Sequence, residues 1–377
     1  MKILKIIVVA VAACAVQLCG AQPVSGQFIP ANDPGITYMG RISRRYSPNV
    51  AFTYPGVSIL ADFKGTSLAM AVKPGSGDFM VEIDGGLPFR IHFGEADSLC
   101  VLAEGLPDGT HSARIMYAIE GHELRPVFKG LYVDEGKELA PAPVLPRRRI
   151  EFIGNSITCG YGIESEDRDA PFTYDTENHY YTYAALTARA LQAQHLVVAR
   201  SGIGVYRNYG SPASGSGDCM PAMYGRTLFL DPSERWDYSL YTPDVVCVNL
   251  GTNDVSEDKY DMKLLTGAYR RFVARLRDIY PKAKIVLLTG CMLNGRQLAD
   301  VKKALDTVTA ERREAGDGEV YRFDMSPQTG SLGYAPGWHP TMRQHRKMAV
   351  ELTSYLKKLM NWRTAASRLN IRIVLVF

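Results

Sequence analysis

Five short apolar runs alternate with longer helix-like segments over residues 149–362, and this alternation limits the possible fold more than anything else in the chain. The runs are Ile150–Gly154, Leu196–Arg200, Val245–Leu250, Ile285–Thr289 and Val320–Asp324. Helices are expected near Tyr180–Gln192, Tyr260–Tyr280, Gln297–Glu314 and Thr341–Met360. Strands that are apolar throughout must be covered on both faces, and intervening helices supply that cover. The pattern therefore predicts an α/β domain: five parallel strands in a three-layer, flavodoxin-like αβα arrangement.

Residues 27–140 follow a different rule. Val57–Phe63, Ser67–Val72, Phe79–Ile83, Phe89–Phe93 and Ala113–Ile119 read as strands. Turn-forming groups separate them, among them Pro74-Gly75-Ser76-Gly77, Asp84-Gly85-Gly86 and Pro107-Asp108-Gly109. Short strands at this spacing predict a β-sandwich or jelly roll. Residues 141–148, with Pro141, Pro143 and Pro146, read as a stiff linker. Arg147-Arg148-Arg149 reads as a solvated turn within it.

Residues 1–21 have the form of an export signal: Lys2 and Lys5, then an apolar stretch from Ile6 to Val16, then Cys19-Gly20-Ala21 before Gln22. The stretch is shorter than the roughly 20 residues that span a bilayer. The alternative is lipidation at Cys14, preceded by Val11-Ala12-Ala13, and either reading places the protein in the periplasm or outside the cell. No later segment reads as transmembrane. The net charge of +4 gives no case for nucleic acid. Of seven cysteines, five lie beyond the leader, which argues against a dense disulfide framework, and no Cys or His spacing suits a metal. The apolar tail over 363–377 has no assigned role.

In a doubly wound sheet, ligands bind beyond the carboxyl ends of the strands. Four loops fall there. Gly154-Asn155-Ser156 follows the first strand, Ser201-Gly202-Ile203-Gly204 the second and Gly251-Thr252-Asn253-Asp254 the third; Gly337-Trp338-His339-Pro340 precedes the last helix. Acyl transfer needs a nucleophile, a base and oxyanion donors. Ser156 and His339 are the candidate nucleophile and base. The N–H groups of Ser156 and Gly204 and the Asn253 amide are candidate donors. Each loop alone is better explained as a turn or helix cap; together, in this order, they favour a site. Trp338, Tyr206 and Tyr209 are candidate sugar-stacking residues, with Tyr161 a further aromatic of the same ambiguity. Cys159 is expected to pack, and His179, His195 and His345 to be surface or core histidines. Glu164–Asp169 reads as a solvated loop, and the long segment from Val205 to Pro243 as a lining of the cleft.

These four blocks resemble those of the SGNH, or GDSL-type, hydrolases. Asn155 stands where many members carry Asp. With a β-sandwich ahead of the hydrolase domain, the chain to about Trp362 is similar to carbohydrate esterase family 2. The resemblance implies a cofactor-free O-acetyl esterase acting on acetylated plant polysaccharides such as xylan or glucomannan. Many SGNH enzymes place an Asp three residues before the catalytic His; here that position is Pro336. The resemblance thus implies a Ser–His dyad, its imidazole held by a backbone carbonyl or another group. Asp324, which ends the fifth strand, is an alternative partner by its position, although a structural cap is the better reading of it. Two other functions stay open: a non-catalytic glycan-binding protein with an inactive hydrolase domain, and an esterase or lipase of wider acyl range.

Overall fold

The computed structural model describes residues 26–362; the leader and the apolar tail lie outside them. The amino-terminal region consists of β1 (Gln27–Pro30), β2 (Ile36–Met39), β3 (Val50–Ala51), β4 (Ser58–Gly65), β5 (Leu68–Val72), β6 (Gly77–Ile83), β7 (Phe89–Phe93), β8 (Leu99–Ala103), β9 (Gly109–Tyr117) and β10 (Val127–Val133). One antiparallel sheet runs β1-β10-β5-β8, with β3 also on β10; the other runs β2-β4-β9-β6-β7. Their inner faces close over a shared core. Phe79 stands at its centre, edge-on to Phe52, Phe93 and Tyr117.

Five of these strands, β1, β2, β3, β8 and β10, were not foreseen from the sequence. Most are short, and β10 carries a register shift between Phe128 and Gly130 that breaks the two-residue alternation.

The second region contains β11 (Arg148–Gly154), α1 (Ser156–Cys159), α2 (Tyr183–Ala190), β12 (Ala193–Ala199), α3 (Met220–Met223), β13 (Val245–Asn249), α4 (Met262–Ile279), β14 (Lys284–Thr289), α5 (Gly295–Glu314), β15 (Val320–Asp324) and α6 (Met342–Leu359). The strand order is β12-β11-β13-β14-β15, all parallel, as the strand–helix alternation predicts. Successive side chains feed opposite layers. On β11 and β13, Ile150, Phe152, Val245 and Cys247 enter one core, while Ile153, Val246 and Val248 enter the other. The chain reverses its winding direction at β11, so the carboxyl ends of β11 and β13 flank the switch-point crevice. The helix expected over 180–192 starts later, because the Thr182 side chain caps α2 by accepting from the Ala185 N–H.

One linker expectation is corrected. Arg148 and Arg149 do not form a solvated turn; both lie in β11, where the Arg149 N–H donates to Asp244 Oδ2 at 2.8 Å. The proline-rich segment makes hydrogen bonds to both regions. The Pro143 carbonyl accepts from Thr37 Oγ1 (2.9 Å) and that of Pro146 from Gln194 Nε2 (2.6 Å).

A wholly buried ion pair joins the regions, with Arg41 Nη2 3.2 Å from Glu151 Oε1 on β11. The Arg41 guanidinium also lies over the rings of Tyr224 (4.8 Å) and Trp236 (5.4 Å).

Candidate active site

Ser156 is the first residue of α1, immediately beyond β11. Asn155 caps that helix by accepting from the Ile157 N–H at 3.1 Å. This stops the strand and lifts the serine onto the helix N-terminus, where the first N–H groups have no intrahelical acceptor. Ser156 Oγ lies 2.8 Å from His339 Nε2, although the two residues are 183 positions apart.

His339 is held by its own turn. Gly337 and Trp338 both adopt left-handed backbone angles (φ 61° and 64°), and Ala335 N–H donates to the His339 carbonyl at 2.8 Å. Glycine takes this conformation at little cost, whereas Trp338 is strained in it. The turn brings the Pro336 carbonyl to 2.8 Å from His339 Nδ1. A carbonyl can only accept, so Nδ1 carries the proton and Nε2 presents its lone pair to Ser156. Tyr161 stacks on the imidazole at 4.2 Å and on Phe172 at 4.2 Å, which fixes the ring plane. Burial pushes His339 down to about 4, against the carbonyls of Pro336 and Gly337 and the nearby Glu120 charge, which raise it.

Asp324 does not approach His339 through any contact of its own; it pairs with Lys302 Nζ at 3.0 Å and Arg322 Nε at 3.1 Å. It thus serves an ion-pair cluster at the end of β15.

The glycine loop is clamped from block to block. Asn253 Nδ2 donates to the Ile203 carbonyl at 2.8 Å, leaving its second amide hydrogen. The neighbouring Asp254 is wholly buried, and its carboxylate accepts the N–H groups of Val205 (3.0 Å), Tyr206 (2.7 Å) and Arg207 (3.0 Å). Burial pushes this carboxyl up, and the three N–H donors oppose the shift. At Gly204 a Cβ would fall 1.9 Å from the Arg207 carbonyl oxygen, so the loop closes only around glycine. The Gly204 N–H donates to Asn208 Oδ1 at 3.1 Å and takes an oxyanion only by sharing or releasing that acceptor. Sequence reasoning missed Asp254 as the loop's anchor; its place beside Asn253 was the available signal.

The aromatic candidates divide. Trp338 is half exposed, with the Arg168 guanidinium 4.3 Å over its ring, and Tyr209 is exposed. Tyr206 is not a surface platform. It is buried in the core beside α4, and its hydroxyl accepts the Asp261 N–H at 3.0 Å. The 205–243 segment is likewise more packed than expected: Met220, Tyr224, Phe229, Trp236 and Tyr241 all enter the core. Glu164–Asp169 is a largely exposed loop, as expected, in which Glu164 pairs with Arg90 of the sandwich and Glu166 with Arg343. Cys159 is wholly buried, and burial pushes its thiol well above the usual range, away from nucleophilic use. His179, His195 and His345 are buried.

Comparison with known proteins places this geometry in context. Residues 38–143 match the Carbohydrate esterase 2 N-terminal family, and residues 152–347 the GDSL-like Lipase/Acylhydrolase family. The Cellulase/esterase CelE of Acetivibrio thermocellus is 35% identical over 336 residues, 88% of this chain; the chain spans only 40% of that relative's length. An Acetylxylan esterase / glucomannan deacetylase of Cellvibrio japonicus is 33% identical, covering 89% of this chain and 91% of the relative. A family two carbohydrate esterase from Clostridium thermocellum, solved in complex with cellohexaose, superposes with a TM-score of 0.81 at 34% identity, over 87% of this chain and all of that one.

Proposed function

We propose, for a chain that belongs to carbohydrate esterase family 2 and so to the carboxylic ester hydrolases, that it removes O-acetyl groups from a plant polysaccharide of the acetylated xylan or glucomannan kind. The reading rests on one observation: the 2.8 Å contact of Ser156 Oγ with His339 Nε2, at the crevice end of β11. Ser156 attacks the acetyl carbonyl as His339 Nε2 takes its proton. The N–H groups of Ser156 and Gly204 and the Asn253 amide receive the oxyanion. Collapse releases the sugar hydroxyl, protonated by His339, and water then hydrolyses the acetyl-enzyme to acetate. Trp338 and Tyr209 offer ring faces to the sugar. The leader-like residues 1–21 support work outside the cytoplasm. Among the described residues no helix is long and apolar enough to cross a membrane.

Acetate release from acetylated xylan, acetylated glucomannan and an acetylated monosaccharide tests the substrate class, with butyryl esters as controls for acyl range. Equal turnover of acetyl and longer acyl esters, with none on acetylated glycans, would point to a general esterase.

Two outcomes follow from the base. His339 must be neutral at Nε2 to accept a proton, and burial holds it at about 4, well below an ordinary histidine at roughly 6.5. The kcat/KM profile should keep its plateau down through pH 5 and lose half of it near pH 4. An acid limb centred at pH 6 or above would contradict this. The second outcome concerns the base's partner. Because Pro336 rather than Asp324 orients the ring, Asp324→Ala should leave kcat for 4-nitrophenyl acetate within about threefold of wild type; a collapse of the kind seen when a triad acid is lost, about 10⁴-fold, would reassign the partner.

A further inference from the structure

A side chain of the sandwich reaches the glycine loop at the catalytic edge. Glu120 lies just after β9, is buried, and accepts the Ser201 backbone N–H at 2.6 Å. It also accepts a short hydrogen bond from the Ser201 hydroxyl. Ser201 begins the loop that carries Ile203 and Gly204. The loop is also held by Asn208 from its own later turn, and by Asn253 and Asp254 from the turn after β13. Glu120 is thus the clamp on the loop's entry, and it comes from the other domain.

Its surroundings keep this carboxylate charged. His122 Nε2 lies 3.5 Å from Glu120 Oε1 and 3.1 Å from the Ala199 carbonyl at the end of β12. Glu177 stands opposite, with its carboxylate accepting the Glu120 N–H at 3.2 Å. Burial and the neighbouring Glu120 charge push Glu177 well above the carboxylate range, while at Glu120 burial is outweighed by His122 and Ser201, which hold it below that range. One carboxyl of the pair is therefore neutral and the other ionised, and the ionised one faces the loop. Oxygens of Glu120 and Glu177 lie within 4.8 Å of one another and of the sulfur of Cys159, the last residue of α1.

We infer that Glu120 is a positioning residue for acyl transfer: through Ser201 the sandwich sets the place of the Ile203–Gly204 backbone, and so of the oxyanion donors, relative to Ser156. The inference rests on the esterase reading above. Oxyanion donors act on charge that develops only in the transition state, so loosening them lowers kcat more than it raises KM. Removing one such donor costs about 10²–10³ in rate, and a misplacement of about 1 Å can cost about 10².

The test uses the full chain with three substitutions. Glu120→Ala removes both hydrogen bonds. Glu120→Gln keeps an acceptor for the Ser201 N–H and a polar partner for its hydroxyl. Ser201→Ala loses only the hydroxyl bond and guards against failure of Glu120→Ala to fold. With 4-nitrophenyl acetate, Glu120→Ala should lower kcat by about 10–100-fold with KM changed less than about threefold. Glu120→Gln should recover most of the loss, and Ser201→Ala should fall between. Amide hydrogen exchange over 201–204 should quicken in the same order, and this readout does not need an active enzyme. If wild type fails to turn over any ester, the esterase reading fails while the exchange data still test the clamp. A folded Glu120→Ala or Ser201→Ala protein with wild-type kcat, a loss confined to KM, or unchanged exchange at 201–204 overturns the inference.

Discussion

Ser156→Ala should lower kcat for 4-nitrophenyl acetate by about 10⁴-fold or more while leaving the protein folded. In the proposed mechanism the hydroxyl is the group that attacks, and Cys159, the nearest thiol in sequence, cannot stand in for it, being wholly buried with its thiol pushed up by burial. The structural cost is small. Ser156 holds one side-chain contact, to His339 Nε2, and the imidazole remains fixed by the Pro336 carbonyl and the Tyr161 stack. His339→Ala should show a loss of the same order, and the double variant should lose little more than either single one, because nucleophile and base act as a unit. Stopped-flow release of 4-nitrophenol and a thermal melt of the same samples check both halves. Residual turnover above about a hundredth of wild type in Ser156→Ala would remove it from the nucleophile's role.

The largest stability effect is expected at the contact between the two regions. Arg41→Ala should destabilise the protein by about 3–5 kcal/mol, the usual cost of stripping one partner from a buried pair. Both side chains are fully buried, and Glu151 sits in the middle of β11, shielded from solvent. Burial already pushes Glu151 above its ordinary range, with Arg41 the main opposing influence. Without the guanidinium, Glu151 must either remain an unpaired charge or take up a proton. Tyr224, whose hydroxyl lies 2.9 Å from each Glu151 oxygen, and Trp236 also lose the cation over their rings. Adding Glu151→Gln to Arg41→Ala should recover part of the loss, since it removes the orphaned charge. Denaturant unfolding of the three proteins, followed by far-ultraviolet circular dichroism and tyrosine fluorescence together, gives the comparison. A change below about 1 kcal/mol in Arg41→Ala would mean that the aromatic packing alone holds the two regions.

How far each feature could be read in the sequence depended on how local its cause is. The parallel sheet was legible because continuous apolar runs such as Val245–Asn249 require cover on both faces. The sandwich was legible in kind but not in strand count, because β3 spans two residues and β10 is broken by a register shift. Loop chemistry was partly legible. Gly204 and Asn253 stand in short blocks of telling composition. Asp254 was overlooked because a carboxylate that accepts three backbone N–H groups looks, in sequence, like any other turn residue. Tyr206 was misjudged for the reverse reason: an aromatic on a polar loop suggests exposure, whereas its hydroxyl accepts from Asp261 and its ring joins the core.

Residue type and periodicity, which depend on near neighbours along the chain, were enough to indicate the layered α/β domain, the sandwich before it, and Ser156 and His339 as the pair to examine. Only the tertiary structure decided what holds them. It put the Pro336 carbonyl behind His339 in place of a carboxylate, brought Glu120 from the sandwich onto Ser201, and set Arg41 against Glu151. Glu120 is 81 positions from Ser201, and Arg41 is 110 from Glu151. Such buried polar groups find partners wherever the fold places them, and a contact over that separation leaves no spacing in the chain from which to read it.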